Sequence, residues 1–143
     1  MFKKALLFFA LTCTAVIIYA DNIQATIEIN GVIVNGGLLY VAVYSNETDY
    51  KNKQAFVSFI LESNNARLTH SIELPEGEYV VSIFQDTNND GRLNETNFWI
   101  PIEPVGITNY NHRGSPGNFH RLKVPVNNNS KTIIVNMGRV RVV

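Results

Sequence analysis

Cysteine is nearly absent from this chain: Cys13 is the only one in 143 residues. It lies in a segment that reads as a leader, so the exported domain would have no disulfide and must be held by its core or by a bound ion. Histidine is scarce as well. His70, His112 and His120 are scattered rather than clustered, so neither thiolates nor imidazoles can build a zinc centre. An excess of one charge is also missing, since 12 basic residues balance 12 acidic ones. A chain without a basic stripe offers no footprint for nucleic acid or for an anionic membrane surface. No serine or cysteine stands in a nucleophile motif.

At the N-terminus, Lys3 and Lys4 precede an almost unbroken apolar run from Ala5 to Tyr19, and Ala20 is followed by the polar Asp21. That order of charge, apolar stretch and small residue is that of a secretory signal peptide. Residues 1–20 are therefore expected to be a leader, and residues 21–143 one exported domain, periplasmic or extracellular, with no membrane insertion once the leader is removed. Thr12 and Ala10 do not match what a lipidation signal around Cys13 requires, so lipidation is not expected. The remaining 123 residues carry 10 basic and 12 acidic side chains. A domain of that size buries roughly two-thirds of its unfolded surface.

The rest of the chain reads as β. Ile23, Ala25, Ile27 and Ile29 alternate with polar residues, the mark of a half-buried strand. Leu38 to Tyr44 is apolar on both faces and suits a central strand, as does Tyr79 to Phe84. Arg67 to Leu74 alternates, with Leu68, Ile72 and Leu74 on one face. Leu122, Val124 and Val126 form one further strand, and Ile133, Val135 and Met137 the last. Asn35-Gly36-Gly37 and Asn127-Asn128-Asn129 supply turns. Lys51 to Glu62 spaces Phe56, Phe59 and Ile60 as a helix would, and is read as a short helix or irregular segment. Six or seven short strands with turn signals imply an all-β, single-domain antiparallel β-sandwich with one long irregular loop, 86–118.

The densest pattern opens that loop. Asp86, Asn88 and Asp90 place oxygen-bearing side chains at alternate positions, and Gly91 and Leu93 follow. Calcium takes six to eight oxygen ligands, and this spacing curls a backbone around such an ion. The expected ligand set is Asp86, Asn88, Asp90, the carbonyl of Arg92, Asn94 and Asn97. Asn97 stands at the twelfth place, where an EF-hand has a bidentate glutamate, and the loop leaves a strand rather than a helix. A helix–loop–helix sensor is thereby rejected. With few carboxylates the expected affinity is weak, about 10⁻⁴–10⁻³ M. The competing reading is a solvated turn in which these side chains cap their own backbone.

Leu74, Pro75, Gly77 and Tyr79 open a core strand, and Asp86, Asn88, Asp90, Gly91 and Leu93 form the loop. Pro101, Glu103, Pro104 and Gly106 come next, and Pro116, Gly117 and Phe119 close the pattern. In this order and spacing the chain resembles a bacterial exported family known only as a domain of unknown function, number 2141. Asp90 stands where that family more usually has asparagine, and Phe98-Trp99 where it more often has a glycine. The resemblance implies an exported β-sandwich, immunoglobulin-like or transthyretin-like, and no activity.

Catalysis is the weaker expectation. His70 and His120 fall among apolar strand positions, as core-edge histidines do. Glu95 and Glu103 have no spacing that supports an acid–base pair. A non-enzymatic envelope module fits better, either structural or binding. Phe98, Trp99, Tyr110, His112 and Arg113 crowd the long loop, and aromatic and arginine side chains favour recognition of a protein or carbohydrate partner. The alternative for Phe98 and Trp99 is to fold back and plug the open end of the sandwich.

Overall fold

The structure, a computed structural model, describes residues 21–142. The expected leader, with Cys13, lies outside the described residues. Among the described residues, eight strands form two sheets. The first contains β4 (Arg67–Pro75), β1 (Asn22–Asn30) and β8 (Thr132–Asn136), in that order. The second runs β3 (Val57–Leu61), β2 (Leu38–Tyr44), β5 (Gly77–Asp86) and β6 (Val105–Ile107), with β7 (Val124–Val126) paired to the start of β5. All pairings are antiparallel except β1 with β8, which is parallel. The molecule is an all-β sandwich.

The alternation in β1 does what it predicts: Ile23, Ala25, Ile27 and Ile29 are all buried between the sheets. They meet Leu39, Val41 and Val43 of β2, Val81 and Ile83 of β5, and Ile133 and Val135 of β8. β5 is central, and Tyr79, Val80 and Val81 are buried in succession on alternating faces. Its opening is fixed by Tyr79, whose hydroxyl donates to the Pro75 carbonyl at 2.7 Å. A second apolar cluster, containing Tyr44, Val80, Val105, Tyr110, Phe119 and Leu122, forms outside the first and covers one end of the outer face of the second sheet. Among the described residues, no helix is long and apolar enough to cross a membrane.

Three segments differ from the sequence expectation. The helix α1 covers Glu47–Asn52, earlier than expected, because Asn46 caps it by accepting from the Asp49 N–H at 2.9 Å and Lys53 ends it in the left-handed region. Val57–Leu61 is then a strand. Five backbone pairings to β2 outweigh the helical spacing of Phe56, Phe59 and Ile60. Leu122 ends a four-residue helix, α2 (Phe119–Leu122), capped by Asn118, instead of starting a strand. The long loop is also broken by β6, which is too short at three residues to show a period.

Candidate functional site

β5 ends at Asp86, which is fully buried. Gly37 makes this possible. With φ of +105° it lies so close to the strand end that a Cβ there would stand 1.8 Å from the Asp86 carbonyl oxygen. Gln85, also buried, ties the same corner to the 33–37 turn by accepting from the Ile33 N–H at 3.0 Å and donating to its carbonyl at 2.7 Å. The loop that follows therefore starts from a rigid point.

Within the loop the Asp86 carboxylate accepts from the N–H groups of Asp90 at 3.1 Å and Gly91 at 2.8 Å. Asn89 and Gly91 take positive φ, which folds the chain back on itself. Asp90 Oδ1 accepts from the Arg92 N–H at 2.9 Å, and Asp90 Oδ2 from Nδ2 of Asn88 at 3.2 Å and of Asn94 at 2.9 Å. These donors, the Asn94 amide first and the Arg92 N–H next, hold the Asp90 carboxyl below the usual carboxylate range. Four of the six expected metal ligands, Asp86, Asn88, Asp90 and Asn94, are thus joined by hydrogen bonds, and the Arg92 backbone adjoins them. Asn97 is not gathered with them. It lies in the turn of the next segment.

Glu103 closes the loop. Only 2% exposed, it accepts from the Thr87 N–H at 2.9 Å through Oε1 and from the Asn94 N–H at 3.2 Å through Oε2. A single buried carboxylate thus clamps both ends of the loop, the place that sequence spacing gave to Asn97. The sequence held a signal for it, a charged residue between Ile102 and Pro104 in an otherwise apolar stretch. Among the described residues, no three His, Cys, Asp or Glu side chains are gathered as a metal requires. A cation here would rest on Asp86 and Asp90 plus amide and carbonyl oxygens.

Beyond the loop the chain forms a small finger. Glu95 pairs with Pro101, the Thr96 N–H donates to the Ile100 carbonyl at 2.8 Å, and Trp99 sits at φ 60° beside the turn. Phe98 and Trp99 are each 83% exposed, so neither plugs the sandwich. Both line a groove of about 1370 Å³ on the outer face of the second sheet. Its floor carries Tyr40 of β2 and Phe84 of β5, stacked 4.8 Å apart and 3° from parallel.

The other expected contact residues divide. Tyr110 lines the groove but is buried, its hydroxyl donating to the Gly114 carbonyl at 2.5 Å. Burial pushes its pKa, and those of Tyr44 and Tyr50, above the usual phenol value. His112 does not line the groove. Its Nε2 bonds the Val105 carbonyl at 2.9 Å and braces β6. Arg113 is exposed and lies outside the groove lining. Sequence reasoning missed Tyr40 and Phe84, although the apolar character of both faces of β2 and β5 was their signal.

A family model described as "Uncharacterized protein conserved in bacteria (DUF2141)" matches residues 27–134. The chain belongs to this family. No curated protein and no solved structure matches the chain. The segment matched as DUF2141 contains the clasped loop, Glu103 and the finger, together with Tyr40 and Phe84. Membership in DUF2141 therefore takes in the loop and groove floor together and attaches no activity to them.

Proposed function

We propose that the protein is an exported binding module. Its ligand surface is the groove on the outer face of the second sheet, and its 86–94 loop is a weak calcium-type clasp that fixes the finger over that groove. The exposure of Phe98 and Trp99 on the groove wall is the observation that carries this reading. Two adjacent large aromatics left in water are costly to solubility and are a usual mark of a contact site. Export rests on the leader pattern of residues 1–20. Binding rather than catalysis fits the histidines: His70 stacks on Phe59 with centroids 4.2 Å apart, His112 braces β6, and His120 is exposed on α2. A carbohydrate ligand sits less well, since among the described residues no Asn, Asp, Gln or His lines the groove.

The oxygen set suits a calcium-type cation. Each Asp86 oxygen keeps a lone pair after accepting its backbone N–H. Two amide donors converge on Asp90 Oδ2, where a cation's charge would otherwise sit. A half-turn of both amides presents oxygens in their place. Calcium would supply no chemistry here beyond holding the loop.

Trp99 is the only tryptophan, so its emission reports on the groove. Titration with N-phenyl-1-naphthylamine, a neutral apolar probe, is expected to quench Trp99 by energy transfer at micromolar concentration. The variant Tyr40→Ser, which breaks the stacked floor, is expected to weaken probe binding at least five-fold. No quenching at all, or quenching indifferent to the floor, would remove the groove as the ligand surface.

A further inference from the structure

We propose that the groove takes a single-tailed anionic amphiphile of the long-chain fatty acid kind, with its acidic head at the α1 end and its chain running towards Phe98 and Trp99. This rests on the groove being the ligand surface and assigns the class of ligand.

The groove has a direction. β2 and β5 pair Leu38 with Asp86 at one end and Tyr44 with Val80 at the other. The clasped loop and finger leave from the first end, and α1 follows the second. Six strand steps, about 20 Å, separate them, and the stacked Tyr40–Phe84 pair lies between. A trough of about 1370 Å³ exceeds the ~300–1,000 Å³ of common ligand pockets, as suits a long chain more than a compact molecule.

The charge is polarised along that direction. Lys51 and Lys53 line the α1 end. Arg141 lines the groove as well, its N–H donating to the His112 carbonyl at 2.7 Å and its carbonyl accepting from the Gly114 N–H at 3.2 Å. Lys51 is engaged by Glu47 at 3.1 Å. Lys53 and Arg141 have no carboxylate within 4.0 Å among the described residues. Glu95, the one carboxylate of the lining among the described residues, is on the finger at the far end. Two lysines at one end, an apolar floor and a single distant carboxylate complement a ligand that is anionic at one end and apolar along the rest. A neutral apolar ligand leaves the cations unused, and an oligosaccharide finds few of the planar polar partners it needs.

Trp99 emission, read against oleate below its micelle concentration, oleyl alcohol and maltohexaose, tests the assignment. The variant carries Lys53→Asn and Arg141→Gln. Asparagine tolerates the left-handed backbone at 53, and an unchanged melting temperature shows that the fold is kept. Oleate is expected to bind at least ten-fold tighter than oleyl alcohol, and the double variant to abolish that difference. If both bind alike to the natural chain, or the variant leaves the preference intact, the anionic assignment fails while the groove stands. If neither lipid binds, and the naphthylamine probe also fails, the ligand surface itself is wrong. Tighter binding of maltohexaose would replace the amphiphile with a carbohydrate.

Discussion

Glu103 shows how much a single buried carboxylate organises. It satisfies two backbone N–H groups nearly at opposite ends of the loop, Thr87 and Asn94, and is itself almost out of solvent. Truncation leaves both part-buried donors unmatched, so Glu103→Ala is expected to destabilise by about 1–3 kcal/mol in urea unfolding. A loss under about 0.5 kcal/mol would mean that water replaces the clamp. Asp90 makes a different prediction. Its folded pKa is depressed, so its contribution is present above the unfolded value and is lost as pH falls through the lower folded one. Carboxyl NMR is expected to show Asp90 titrating below a free aspartate, and a normal midpoint would mean that the Asn94 and Arg92 bonds do not persist in solution. The alternate spacing of Asp86, Asn88 and Asp90 made the loop legible in the sequence. The role of Glu103 was not, because nothing local links position 103 to positions 87 and 94.

At the scale of elements, strands buried on both faces or alternating cleanly were readable, and short elements were not. β1, β2 and β5 declare themselves through apolar patterning that matches their burial. β3 was obscured because Phe56, Phe59 and Ile60 fit a helix as well as a strand, and only β2 alongside decides between them. The finger is a further case. Its hydrogen bonds are local to Thr96, Trp99 and Ile100, yet its aromatic side chains point to no neighbour in sequence. Since Trp99 is 83% exposed, Trp99→Ala is expected to change stability by less than about 0.5 kcal/mol. A loss of more than about 2 kcal/mol would show that the ring is packed in solution and restore the plug.

For the whole molecule, the clasped loop and the groove are joined, because the finger that walls the groove begins where Glu103 and Asp90 secure Asn94. Thermal melting tests the cation. With a dissociation constant of about 10⁻³ M, 10 mM calcium would stabilise by about 1.4 kcal/mol relative to chelator, roughly a 3–6 °C rise. An unchanged midpoint would leave the loop as a turn closed by its own amides and Glu103. Either result leaves the sandwich intact, since its core is apolar and continuous between the sheets.

The sequence by itself determined the β character, the central strands, the presence of the Asx-rich loop at Asp86 to Asn94 and the family, because each depends on residue type at fixed short spacing. Tertiary structure decided what separation along the chain conceals. It placed β8 parallel to β1 and turned Tyr40 and Phe84 into one stacked floor. It gave the closing place to the Glu103 carboxylate and set Lys51 and Lys53 at one end of a groove. These arrangements join residues distant in the chain, and only the packing of the sheets and the loops around them brings such residues together.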